Sequence, residues 1–408
     1  MSSAFPEVLQ ARIDMSSPAK PAKRPANPNF SSGPCAKRPS WTPDVLRSAL
    51  LGRSHRSTAG KARLKRAIDE THALLDLPHD YRVAIVPGSD TGAFEMALWN
   101  LLGARGVDVL AWEDFGRRWV TDIVAELKLS DARVLAADYG HLPDLGAVDF
   151  GRDVVFTWNG TAAGVRVPDG KWIAADRAGL TIADATSALF AQKIDWAKVD
   201  VATFSWQKIL GGEAAHGMIV LSPRAVQRLV EHRPAWPIPK LFRLMHAGSV
   251  DAGIFEGVTI NTPSMLCVED YLDTLAWAKG IGGLAALHRR ADENAAVLFD
   301  WIERTPWIAN LAVDPKTRSN TSVCLRFTDV IGGEEAERRI ADGMAALLAE
   351  EGAAYDIGAY RSAPPGLRIW CGATVERADI EALVPWLEWA YGKVRSPLTP
   401  AREAFPQR

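Results

Sequence analysis

Apolar and polar positions along residues 81–222 follow a repeating rhythm: a short apolar run, a turn of glycine and small polar residues, an amphipathic stretch, then the next run. The runs at 81–86, 108–112, 134–137 and 153–157 read as buried strands. Between them, 94–102 and 119–127 carry apolar residues at helical spacing. Three further strand-like runs follow at 181–183, 200–206 and 217–221. Strands alternating with helices predict an α/β protein with a mostly parallel sheet covered on both faces.

The texture changes after residue 222. A helix is predicted over 224–232, a proline-rich loop over 234–239, and a long helical region through about 304, interrupted at 280–283. Strands at 321–328 and 366–371 with helices at 334–351 and 377–394 predict a small α+β domain. Residues 18–25 lack aromatic and β-branched side chains, so 1–28 is expected to be a disordered or extended tail. The organisation expected is a tail over 1–28, a large domain over 29–300 and a small one over 301–408.

Composition narrows the function classes. Lys and Arg number 47 against 49 Asp and Glu, giving a net charge of −2 and no global field to attract nucleic acid or an anionic membrane. Cys35, Cys267, Cys324 and Cys371 are scattered without metal-ligand spacing, which argues against a zinc site and a disulfide framework. No apolar run approaches the ~20 residues of a membrane span, and the N-terminus has no apolar signal core. A cytoplasmic enzyme is expected.

The chemistry concentrates at the ends of the apolar runs. One run ends on Asp184, and the next ends on Gln207-Lys208 before a Gly211-Gly212 pair. An acid at one strand end and a lysine at the next are what pyridoxal phosphate requires. The amine links to the cofactor aldehyde, and the carboxylate holds the pyridine nitrogen protonated. An acid in that place also serves as a cap, and a lysine beside glycines also stands solvated. The turn at 87–93, between a strand and a helix, offers backbone N–H groups and a helix dipole to a phosphate. Trp158-Asn159-Gly160-Thr161 ends another strand, where doubly wound sheets bind ligands. His55-Arg56 precedes a basic helix, and Arg361 and Arg368 flank Pro364-Pro365-Gly366. Arg368 lies in an otherwise apolar strand, facing either solvent or an anionic ligand.

Laid end to end, these pieces resemble the phosphoserine aminotransferases, members of the aspartate-aminotransferase-like (fold type I) class of pyridoxal phosphate enzymes. The series runs in order from Asn29-Phe30-Ser31-Ser32-Gly33-Pro34 through His55-Arg56-Ser57, Gly88-Ser89-Asp90-Thr91-Gly92, Asn159-Gly160-Thr161, Asp184, Gln207-Lys208 and Asn261-Thr262-Pro263 to Gly366-Leu367-Arg368. The resemblance implies a seven-stranded, mostly parallel sheet in the large domain. It implies Lys208 as the cofactor-linked lysine and proton carrier, and Asp184 as partner of the ring nitrogen.

By the same resemblance, Trp119 stacks on the ring, Thr161 sits by its 3-oxygen with Gln207 nearby, and Asp90-Thr91-Gly92 form the phosphate turn. Asn261 and Thr262 reach the cofactor of a neighbouring subunit, which implies a homodimer with shared sites. His55, Arg56 and Arg361 match substrate phosphate and carboxylate binders, and Arg368 the arginine that forks onto the α-carboxylate. The implied reaction transfers the amino group of L-glutamate to 3-phosphohydroxypyruvate, with a related phosphorylated acid of pyridoxine synthesis as a second substrate. The alternatives are a serine– or alanine–glyoxylate-type aminotransferase, a cysteine desulfurase, or a pyridoxal phosphate-binding protein without turnover. This chain departs from one bacterial branch of the family, which has Gly-Arg in place of Asp90-Thr91 and His in place of Tyr360. A carboxylate at Asp90 would repel a phosphate unless it points away.

Overall fold

The computed structural model describes residues 18–395, so the part of the expected tail before residue 18 lies outside the described residues. The large sheet is built from β1 (Arg82–Pro87), β2 (Val107–Ala111), β3 (Ala132–Ala136), β4 (Asp153–Thr157), β5 (Thr181–Asp184), β6 (Val201–Ser205) and β7 (His216–Leu221). Their order across the sheet is β1-β7-β6-β5-β4-β2-β3. Only β7 runs against the rest, pairing antiparallel with both β1 and β6. The mostly parallel seven-stranded sheet is the one expected.

Parallel strands need both faces covered, because crossover helices occupy them. Every residue of β2, β4, β5, β6 and β7 is accordingly buried. The edge strand β3 has only half-buried and exposed positions. Arg133 on β3 reaches back to Asp108 of β2 with a two-pronged ion pair at 2.8 and 2.7 Å, which ties the edge down.

The helices are α1 (Thr58–Leu74), α2 (Ser89–Leu101), α3 (Asp114–Thr121), α4 (Pro223–Glu231), α5 (Met265–Gly280), α6 (Gly283–Glu303), α7 (Gly333–Glu350) and α8 (Arg377–Arg395). On one face of the sheet α2 packs over β7 and β6, and its apolar residues Phe94, Met96, Ala97 and Leu98 are fully buried there. On the other side α1 packs against β1 and α5. The C-terminal unit has a three-stranded antiparallel sheet of β8 (Ile308–Asn310), β9 (Ser322–Phe327) and β10 (Leu367–Trp370), with α7 and α6 packed on α8.

Residues 18–28 are extended and held. The Trp386 indole donates to the Lys23 carbonyl at 2.8 Å, Ala26 N–H donates to Asp379 at 2.6 Å, and Lys20 pairs with Glu351 at 2.6 Å. The chain continues along the small domain, with Tyr355 N–H on the Pro28 carbonyl and Trp370 N–H on the Phe30 carbonyl. It then crosses to the large sheet, where Cys35 N–H donates to the Gln207 carbonyl at 2.9 Å. Residues 18–34 are thus one strap joining the two units.

Candidate active site

Four strand ends converge on one cavity of about 200 Å³. β5 delivers Asp184, which is 3% exposed and takes the Trp119 indole N–H on Oδ2 at 3.1 Å and the Thr186 backbone N–H on Oδ1 at 3.2 Å. β6 runs on through Trp206 and Gln207 to Lys208, which is 8% exposed. Trp206 is clamped between Tyr271, stacked at 4.5 Å, and the ring of His216 at 4.7 Å, so the lysine leaves a fixed backbone. Lys208 Nζ donates to the carbonyl of Ser32, and a Cβ on Gly33 would lie 2.8 Å from that same nitrogen. The strap therefore closes over the amine.

β4 delivers Thr157, Asn159 and Thr161. The Asn159 amide and the Thr161 hydroxyl both donate to Ser187 Oγ at 2.8 Å, which fixes this wall. Gly160 is required here, since a Cβ would lie 2.7 Å from Trp112 Nε1 and 2.8 Å from Glu113 Cγ. β1 passes through Gly88, in the left-handed region at φ 85°, into the first turn of α2, which presents Ser89, Asp90 and Thr91 to the cavity.

Charge follows burial. The Lys208 amine is pushed below the ordinary lysine range by burial, with Arg368 acting in the same direction. A neutral amine is the form that condenses with an aldehyde. Burial also pushes the Asp184 carboxyl up, while the donors around it pull it back down. The Glu113 carboxyl, buried at the start of α3 and accepting from the N–H groups of Gly116 and Ala162, is pushed up to about 7 by burial.

These residues suit pyridoxal phosphate. An amine and an acid face one cavity, a helix N-terminus opens onto it, and an aromatic ring forms one wall. Thr157 Oγ1, Asp90 Oδ1 and Gln207 Oε1 are buried there without a hydrogen-bond partner among the described residues, as polar atoms reserved for a ligand would be.

Of the residues anticipated from sequence, Lys208, Asp184, Trp119, Thr161, Gln207, Asp90 and Thr91 line this cavity. Three of them differ from expectation in what they do, or where. Trp119 acts on the acid as well as the cavity: it lines the wall, packs on Phe94 at 4.5 Å, and donates its N–H to Asp184. The half-buried ring in the wall is Phe115, one turn earlier on α3. Gly92 does not line the cavity. Its missing Cβ makes room for the Pro87 carbonyl, 2.3 Å from where that carbon would lie, so it shapes the turn rather than approaching a phosphate. Asp90 turns its carboxyl toward Asp184 instead of the turn.

The substrate-side residues lie outside this cavity. Arg368 is near enough to influence Lys208, and its Nε is buried without a partner among the described residues. Its guanidinium stands 5.6 Å from the centre of the Tyr360 ring, with those of Arg361 and Arg118 each at 5.9 Å. Arg118 also donates to the Tyr360 hydroxyl at 2.8 Å. Arg361 lines a neighbouring cleft of about 640 Å³. His55 is half-buried, and Arg56, Asn261 and Thr262 are exposed; none of the four lines the cavity of its own chain. The sequence pattern did not single out Thr157 and Thr186 as cavity residues, although each stands at or just past a strand end.

No family model matches the chain. It is 56% identical over 376 residues, 92% of its length, to the phosphoserine aminotransferase of Methanosarcina mazei, all of which is covered. The identity to the phosphoserine aminotransferase of Methanosarcina barkeri is likewise 56% over 376 residues, with the same coverage. Among solved structures, a phosphoserine aminotransferase from Cytophaga hutchinsonii superimposes with a TM-score of 0.76 at 22% identity, over 88% of this chain and 98% of that one. The fold is that of the fold type I pyridoxal phosphate enzymes, and at this identity and coverage the chain belongs to the phosphoserine aminotransferase family.

Proposed function

We propose that the protein transfers the amino group of L-glutamate to 3-phosphohydroxypyruvate, giving O-phospho-L-serine and 2-oxoglutarate, with pyridoxal phosphate as cofactor. The observation that carries this reading is the convergence of Lys208 and Asp184 on one cavity, in a chain 56% identical to curated phosphoserine aminotransferases. When bound, the cofactor supplies an electron sink for the substrate α-carbon. Asp184 would accept the ring N–H. The N–H groups at the start of α2, with the Ser89 and Thr91 hydroxyls, would hold the phosphate. Phe115 would form the wall beside the ring, with Thr161 and Gln207 near it. Lys208 Nζ is the covalent anchor and then takes the proton from the substrate α-carbon.

Arg368 forks onto the α-carboxylate, a geometry that lysine does not reproduce. Arg361 binds the second anionic group of the substrate. His55, Arg56, Asn261 and Thr262 stand apart from their own cavity, which supports a homodimer in which each site borrows them from the partner subunit. The same reading makes the phosphorylated four-carbon 2-oxo acid of pyridoxine synthesis a second substrate and places the enzyme in the cytoplasm. No helix among the described residues is long and apolar enough to cross a membrane.

Two alternatives meet specific obstacles. A desulfurase needs a reactive thiol, yet Cys324 on β9 is buried with its thiol pushed up to about 11 by burial. A protein retired from catalysis has no need of both Lys208 and Asp184. The deciding experiment is a coupled assay with glutamate as donor and phosphohydroxypyruvate, unphosphorylated hydroxypyruvate or glyoxylate as acceptor. Turnover is expected with phosphohydroxypyruvate and at least ~100-fold lower kcat/KM with the other two, the scale of losing a charged phosphate anchor. Preference for glyoxylate would contradict the proposal.

A further inference from the structure

Asp90 stands in the first turn of α2, 7% exposed, in the wall of the cavity that also holds Asp184 and Lys208. Its carboxyl faces that of Asp184 within hydrogen-bonding reach. Two buried carboxyl groups in such contact do not both ionise; they share a proton. The donors decide which one keeps it. Asp184 receives the Trp119 indole N–H at 3.1 Å and the Thr186 N–H at 3.2 Å, both of which stabilise an anion. On Asp90 the Thr203 hydroxyl is the donor that favours an anion, while Oδ1 receives none among the described residues. The other groups facing the pair are the Thr203 hydroxyl on β6, the Lys208 amine, and Glu113 at the start of α3. Burial, followed by the charge of Asp184, pushes the Asp90 carboxyl well above the usual carboxylate range.

We infer that Asp90 is a neutral carboxylic acid whose O–H donates to Asp184, making it a positioning residue that fixes Asp184 as the anionic partner of the cofactor ring nitrogen. The inference rests on the reading of Asp184 given above. A carboxylate offers about four lone-pair positions. Trp119, Thr186 and Asp90 occupy three from the protein side, and one remains directed into the cavity for a ring N–H. The neutral state also removes an electrostatic conflict: an ionised side chain at the start of α2 would oppose a phosphate drawn there by the helix dipole. The chain thus carries an acid at the phosphate turn without placing negative charge on it.

Two measurements on the full-length protein test this. The infrared difference spectrum of wild type minus Asp90→Asn, recorded on cofactor-free protein at neutral pH, is expected to show the carbonyl stretch of a protonated carboxylic acid lost in the variant. No such band overturns the inference. The dissociation constant for pyridoxal phosphate is the second readout. Asp90→Asn keeps a donor toward Asp184 and is expected within about threefold of wild type, whereas Asp90→Ala, which cannot donate, is expected at least about tenfold weaker. An Asn variant as weak as the Ala variant, or an Ala variant equal to wild type, overturns it. If Asp90→Ala fails to fold, the infrared comparison decides alone. Neither readout involves the amino acceptor, so this inference and the substrate assignment fail separately.

Discussion

The indole N–H of Trp119 lies 3.1 Å from Oδ2 of Asp184. A tryptophan expected to lend its face to the cofactor also lends its edge to the acid. Trp119→Phe keeps most of the ring and removes the donor. A hydrogen bond to a buried charge is worth about 1.5–3 kcal/mol, so the dissociation constant for pyridoxal phosphate should rise by roughly 10- to 100-fold. Phe115→Leu should leave Asp184 untouched and shift the absorption of the bound cofactor instead. Titration of cofactor-free protein by fluorescence checks the first, and the absorption spectrum of the holoenzyme checks the second. Unchanged affinity in Trp119→Phe would remove the indole from the site.

Gly33 sets the distance between the strap and the reactive amine. A Cβ there would stand 2.8 Å from Lys208 Nζ and 3.2 Å from Cε. Gly33 has φ +152°, which also strains an alanine backbone, but lysine ends are flexible, so Gly33→Ala should shift the strap locally and displace the amine rather than unfold the protein. Misplacement of a reacting group by about 1 Å costs on the order of 100-fold in rate. Steady-state kcat should fall by that order while the small-domain contacts of residues 18–30 persist in limited proteolysis. A variant with normal kcat would show that the strap does not restrain the amine.

His216 couples acid stability to the loop that carries Asn261 and Thr262. Its Nε2 accepts the Ser264 N–H at 3.1 Å, its ring packs on Trp206, and burial lowers its pKa from 6.5 to about 4. The folded-state value lies below the unfolded one, so between pH 4 and 6.5 the unfolded chain binds a proton that the folded chain does not. Stability therefore rises with pH through that window and is lost on acidification, by up to about 3 kcal/mol. His216→Gln retains an acceptor for Ser264 and does not titrate. Urea unfolding at pH 4 to 7 should show a flatter acid limb for the variant; identical limbs would rule His216 out as the cause.

Shared sites make a prediction that one chain cannot meet alone. Lys208→Ala and the double variant Asn261→Ala, Thr262→Ala should each have little activity. Unfolded together and refolded at equal ratio, half the dimers pair one chain of each kind, and each such dimer has one intact site. Activity should return to about a quarter of wild type. No recovery would place Asn261 and Thr262 outside the partner's site.

The chain pattern announced the sheet because each strand is a short apolar run ended by polar residues, and Asp184 and Lys208 are such ends. Other features depend on direction rather than composition. Phe115 and Trp119 are four residues apart on α3 and share a face, so helical periodicity does not tell which ring also donates to an acid. Asp90 looked like a phosphate-turn residue, and only the proximity of Asp184 turns it inward. Residues 18–28 have too little apolar surface to fold alone, yet they are held by hydrogen bonds to Trp386 and Asp379, on a surface formed by α8. That partner is more than 350 positions away (379 − 26 = 353), beyond any local pattern.

Transamination depends first on a covalent bond to one amine, Lys208 Nζ. The holoenzyme, reduced with borohydride, digested and mapped by mass spectrometry, should carry the pyridoxyl mass on Lys208 and nowhere else. The adduct on another lysine, or no adduct in protein that still transaminates, would contradict it.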